Sequence, residues 1–87
     1  MNRAVIRVGD QTSHGGTVGS GSDGFIVDGK AVARVGDKVS CPLHPGGTVI
    51  NSGSADYLTD GQPTARDGDT TACGATLIAS QNSYLIK

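Results

Sequence analysis

Hydrophobic residues in this chain come in short groups: AVI (4–6), FIV (25–27), VI (49–50), LI (77–78) and YLI (84–86). Gly, Asp, Ser or Thr cuts off nearly every one within a few positions. No apolar run approaches the length of a membrane span. Groups this short, rich in β-branched residues and bounded by turn formers, predict short strands joined by tight turns. There are 14 Gly, all eight acidic residues are Asp, and strong helix formers are scarce. The expected fold class is all-β.

The pattern also repeats. RVGD (7–10), RVGD (34–37) and RDGD (66–69) recur at intervals of 27 and 32 residues. The copies continue in parallel as QTSHGGTV (11–18), KVSCPLHPGGTVI (38–50) and TTACGATLI (70–78). Each then closes on an aromatic–aliphatic strand, FIVDG (25–29), YLTDG (57–61) or YLIK (84–87). Of the five extra residues in the second interval, Pro42-Leu43-His44-Pro45 is the main insertion and one more is expected downstream. Three repeats follow, at approximately 3–29, 30–61 and 62–87. Lys87 and Met1 both match Asp28, so the N- and C-terminal strands can complete one unit together and close a ring. Closure predicts pseudo-threefold symmetry within one chain and removes exposed strand edges. Phe25, Tyr57 and Tyr84 share one repeat position, where they are expected to plug the axis. An Arg–Asp pair and a turn cap are expected in each copy, from Arg7/Asp10, Arg34/Asp37 and Arg66/Asp69.

Composition makes a further staple necessary. With 87 residues, 36% hydrophobic, and one Phe and two Tyr as the aromatics, the core is thin. Equivalent positions in a threefold ring approach a common axis, and the position four after each motif Asp is His14, Cys41 or Cys73. The one other His or Cys is His44, on the insertion. Four such ligands fill a tetrahedral zinc shell, and a full shell is structural rather than catalytic. Pro42 and Pro45 restrict the backbone beside Cys41 and His44. Zinc binding contributes about 10–16 kcal/mol in small zinc peptides, against the roughly 3–5 kcal/mol that a core of this size leaves. The expectation is one structural Zn2+ on His14, Cys41, His44 and Cys73. The alternative is that the cysteines are buried thiols or a disulfide and the histidines are turn residues.

Other motifs carry less. GSGSDG (19–24) and GFIVDGKA (24–31) resemble phosphate-binding loops, but β-branched, turn-rich sequence follows where a helix must open. Net charge is -1 with no basic block, which excludes an electrostatic footprint for nucleic acid. MNRAVIRVGD lacks a signal-peptide hydrophobic region, so synthesis in a reducing cytoplasm is expected, where metal or free thiols are favoured over a disulfide. A catalytic Cys41 with His44 or His14 as base needs a cleft, and the same residues serve better as metal ligands. The chain is therefore not expected to be an enzyme.

AVAR (31–34) and PTAR (63–66), each leading into Gly-Asp, resemble the Pro-Ala-Ala-Arg motif of the PAAR-repeat family; AVIR (4–7) is a weaker version. No copy reads Pro-Ala-Ala-Arg in full, and where many relatives ligate zinc with three histidines and one cysteine, this chain offers two of each. The resemblance implies a cone of β-strands with zinc near a sharp apex. Its base would cap a trimeric valine–glycine-repeat (VgrG-type) spike protein of a type VI secretion system, or a related phage-like spike, one tip per trimer. It further implies membrane puncture, transient contact with a target membrane, separate effector proteins as cargo, and export with the spike. A single domain over 1–87 without an effector extension is expected. The terminal strands and the turns Asp28-Gly29 and Asp60-Gly61 are the expected base elements. A stand-alone structural zinc-binding interaction module and a small zinc hydrolase are the rival readings.

Overall fold

The computed structural model describes residues 2–87. Ten two-residue strands follow one another, with no helix among the described residues: β1 (Arg3–Ala4), β2 (Gln11–Thr12), β3 (Ile26–Val27), β4 (Lys30–Ala31), β5 (Lys38–Val39), β6 (Thr48–Val49), β7 (Leu58–Thr59), β8 (Gln62–Pro63), β9 (Leu77–Ile78) and β10 (Leu85–Ile86). All pairing is antiparallel. β3 and β4 turn on Asp28-Gly29, and β7 and β8 on Asp60-Gly61. Both residues of each turn have positive φ, 51° and 83° in the first and 52° and 79° in the second. That is the geometry of a two-residue hairpin turn for which Asp-Gly is suited.

The third such pair is made by the chain ends. β10 pairs with β1 as Leu85↔Ala4 and Ile86↔Arg3. The register repeats that of Ile26↔Ala31 and Val27↔Lys30, and of Leu58↔Pro63 and Thr59↔Gln62. The terminal strands thus complete one unit as the repeat alignment predicts; the expected match of Met1 to Asp28 lies outside the described residues.

Around the axis the backbone forms a cycle. The Ile6 amide donates to the Ala65 carbonyl (3.0 Å), Ala65 to Ala33 (3.0 Å) and Ala33 to Ile6 (2.8 Å). All three residues are fully buried and pack with Val18, Ile50 and Leu77, which are themselves repeat equivalents. Because neighbouring side chains point opposite ways, Val5 and Val32 face the other direction and pack with Val27, Ile86 and the three aromatics. Phe25 lies 6.0 Å from Tyr57 and 5.2 Å from Tyr84, ring centre to ring centre, and the two tyrosine hydroxyls are 2.9 Å apart. The aromatics converge as an axial plug. One long and two near-equal short dimensions, 30 × 24 × 23 Å, suit a threefold axis along the long direction.

Two details depart from the sequence reading. The amides of Val18, Ile50 and Leu77 donate to Asp10, Asp37 and Asp69 respectively. That register puts all five extra residues of the second repeat between Cys41 and Gly47, with none downstream. The Arg–Asp pair also fails in one copy. Arg34 meets Asp37 at 3.0 Å and Arg66 meets Asp69 at 2.9 Å. In the first copy Asp10 caps the Arg7 amide (2.8 Å), but the buried guanidinium turns away to the Val27 carbonyl (3.1 Å) and the Ser80 hydroxyl (2.9 Å). Ser80 stands where the other repeats have Gly21 and Gly53, and its hydroxyl donates to Asp10. It therefore occupies the space between the two charges.

Candidate metal centre

A second set of three hairpins carries the candidate ligands. Bridges Gln11↔Thr17 and Thr70↔Thr76, and the β5–β6 pair Lys38↔Val49, close the loops that hold His14, Cys73 and Cys41. The first and third loops are built alike. The Thr12 hydroxyl accepts from the amides of His14 (3.3 Å) and Gly16 (3.1 Å), and the Thr71 hydroxyl accepts from the Ala75 amide (3.1 Å). The second loop has Val39 in place of the threonine; there the His44 amide donates to the Cys41 carbonyl (3.0 Å), tightening the longer turn. The loops also hold each other. The Cys73 amide donates to the Thr48 hydroxyl (3.2 Å), and the Gly16 backbone lies so close to Ser40 that an added Cβ would sit 1.9 Å from its carbonyl oxygen.

This brings one side chain from each repeat to a point. The Cys41 and Cys73 sulfurs are 3.3 Å apart, and His14 Nδ1 lies 3.9 Å from the first and 3.8 Å from the second. Zinc binds thiolate sulfur at about 2.3 Å and imidazole nitrogen at about 2.0–2.1 Å. A tetrahedral ion therefore separates its sulfurs by roughly 3.8 Å, and sulfur from nitrogen by roughly 3.6 Å. The observed triangle matches one face of such a tetrahedron to within about half an ångström. The donor set fits, and the cluster could hold a metal ion. An ion there would cross-link all three repeats.

The two thiols are not equivalent. The Thr71 hydroxyl, 3.2 Å away, does most to lower Cys73, helped by Cys41, the Ala75 amide and His14, and together they hold it down at about 6 against the opposing effect of burial. Burial first, and then the neighbouring Cys73 sulfur, push Cys41 up. A cation between the two sulfurs would favour deprotonation of both. No sequence motif singles out Thr12 and Thr71, although they are repeat equivalents two residues before His14 and Cys73.

His44 lies elsewhere. It is exposed on the 42–46 insertion and is not one of the three donors that lie within 4.8 Å of one another. The structure thus unites three of the four expected ligand residues, one per repeat, and leaves the fourth on a surface turn beside them.

No curated protein is similar enough to the chain to count as a match. The family model for the PAAR motif matches residues 8–79, a span that runs from the first Gly-Asp turn to just past the strand leaving the third metal loop. Such modules are structural rather than catalytic. With the match covering most of its length and all three metal-loop hairpins, the chain belongs to the PAAR-motif family.

Proposed function

We propose that this protein is the tip of a contractile-injection spike, seated one per trimer on a VgrG-type spike protein of a type VI secretion system, and that it has no enzymatic activity of its own. The observation that carries the reading is a ring of exposed aliphatic residues at one repeat position. Ile26, Leu58 and Leu85 are 53%, 57% and 46% exposed, and they stand at equivalent places on the β3–β4, β7–β8 and β10–β1 pairs. A single chain that meets a true trimer must offer three similar surfaces, and these residues supply them. Large aliphatics left in water at three matched positions are a contact surface waiting for a partner of matching symmetry.

On this reading the aromatic end is the base and the metal loops form the point. A bound Zn2+ supplies rigidity where three loops meet and a hydrophobic core has no room. His14, Cys41 and Cys73 would hold it, with His44 on the insertion as the fourth ligand. Synthesis is cytoplasmic, and the tip leaves with the spike, alone or with separate effector proteins, to touch and pierce a target membrane.

Native mass spectrometry of the chain mixed with a cognate trimeric spike tests the proposal. One tip per three spike chains is expected, and Leu58→Asp should weaken that complex without lowering zinc content. An equimolar complex, or unchanged binding by the variant, refutes the reading.

A further inference from the structure

The metal centre holds its two sulfurs 3.3 Å apart, nearer to each other than either is to the His14 nitrogen. A disulfide needs about 2.05 Å between sulfurs, so closing the gap takes little more than an ångström of movement shared by two loops. Cys73 is followed by Gly74 with φ of 90°, and the Cys41 loop runs through Gly46 and Gly47 with φ of 94° and 82°. Cys73 is also the more accessible of the two, Cys41 being buried. An oxidant meets Cys73 first and finds Cys41 placed to resolve the product.

We infer that Cys41 and Cys73 are a reversible disulfide site, so that the same two sulfurs hold either a metal ion or each other. The oxidant is a small disulfide. The Cys73 thiolate attacks one of its sulfurs, the S–S bond breaks and one small thiolate leaves. The Cys41 thiolate then attacks the Cys73 sulfur of the mixed disulfide and expels the second small thiolate. The cysteine pair loses two electrons and the small disulfide gains them. Once both sulfurs are bonded to each other, His14 and the insertion's His44 are the donors left, too few to retain zinc. A link between the second and third repeats persists after the change, because the disulfide spans the same two loops. The first repeat loses its tie. The inference rests on the metal reading for its either/or character and on the sulfur geometry for the bond itself.

The experiment is run in two steps on the whole chain. Reduced protein is first loaded with zinc and weighed by native mass spectrometry, which reads the metal site alone. A chain that takes up no zinc refutes the metal reading at this step, before oxidant is present, and with it the either/or exchange. Oxidised glutathione is then added while a chromogenic chelator follows zinc release. The expected result is one equivalent of zinc released in step with a species about two mass units lighter, with the Cys41 and Cys73 peptides linked on digestion. Dithiothreitol with fresh zinc should restore the starting mass. Cys41→Ser should stop at a stable glutathione adduct on Cys73. Persistent glutathione adducts in the wild type, unchanged thiols, or zinc retained alongside an intramolecular disulfide would each overturn the inference.

Discussion

Ile6, Ala33 and Ala65 occupy one layer of the axis, donate to one another in a cycle and share one buried cluster. If the three positions are equivalent in space, the isoleucine can be moved round the ring. Ile6→Ala alone removes a fully buried side chain and should cost about 3–4 kcal/mol, within the range for large-to-small core changes. Ala33→Ile alone crowds a filled layer and should cost about 1–3 kcal/mol. Independent effects would sum to about 5 kcal/mol, most of the stability of a domain this small. The double variant keeps the volume and moves it by one-third of a turn, so its cost should fall below about 1.5 kcal/mol. Urea unfolding of the three variants and wild type at fixed free zinc measures this, since the metal contribution is then common to all four. In thermal melts the double variant should lie well above the additive expectation, at about 4–8 °C per kcal/mol. A double variant as unstable as the sum of its parts would show that the three positions do not share one space, and the axial packing argument would fail.

Three further outcomes are expected. Burial would raise Asp37 and Asp69, but each is held below the ordinary 3.8 by Arg34 or Arg66, whose side chain and backbone amide both bond it. Groups held low in the folded chain stabilise it above that ordinary value and cease to as pH falls through their folded one. The stability gap between wild type and Asp69→Asn should therefore be flat above about pH 4 and shrink below it; a gap that widens on acidification would contradict the pairing. Gly16→Ala forces a methyl against the Ser40 carbonyl and must push two metal loops apart, so melting temperature and zinc retention should fall together; an unchanged zinc content would mean that the loops are not held by that approach. His14→Ala should abolish stoichiometric zinc, whereas His44→Ala should weaken it while His14, Cys41 and Cys73 still bind; equal losses from both would place His44 among the indispensable donors.

What the sequence disclosed, it disclosed through repetition. RVGD, RVGD and RDGD align His14, Cys41 and Cys73 without any knowledge of loop conformation, and the same offsets align Phe25, Tyr57 and Tyr84. Symmetry does the work that long-range pairing rules usually cannot, because equivalent residues in a closed ring have to meet near its axis. Features outside the repeat were harder to read. His44 has no counterpart in the other copies, so no register fixes where its ring goes. The Arg7 exception follows from one hydroxyl at Ser80, whose effect depends on a contact 70 residues away in the chain. Thr12 and Thr71 were legible in principle, since both precede a ligand by two positions, but a threonine in a chain with eight of them does not announce itself.

The pairing of β10 with β1 has a consequence for folding order. In an open array of repeats, units can be added one at a time, and each brings its own share of stability with its neighbour. Here the Ile6, Ala65 and Ala33 bonds run in a circle, so any two repeats make one link of it and leave two unmade. There is no terminal repeat to fray and no inner repeat to act as a seed. The covalent gap lies where the other two copies have an Asp-Gly turn. Joining the ends and opening the chain at Asp28-Gly29 or Asp60-Gly61 would move that gap round the ring and leave the same object. For such a fold, the order of the repeats along the chain is a matter of where the circle was cut.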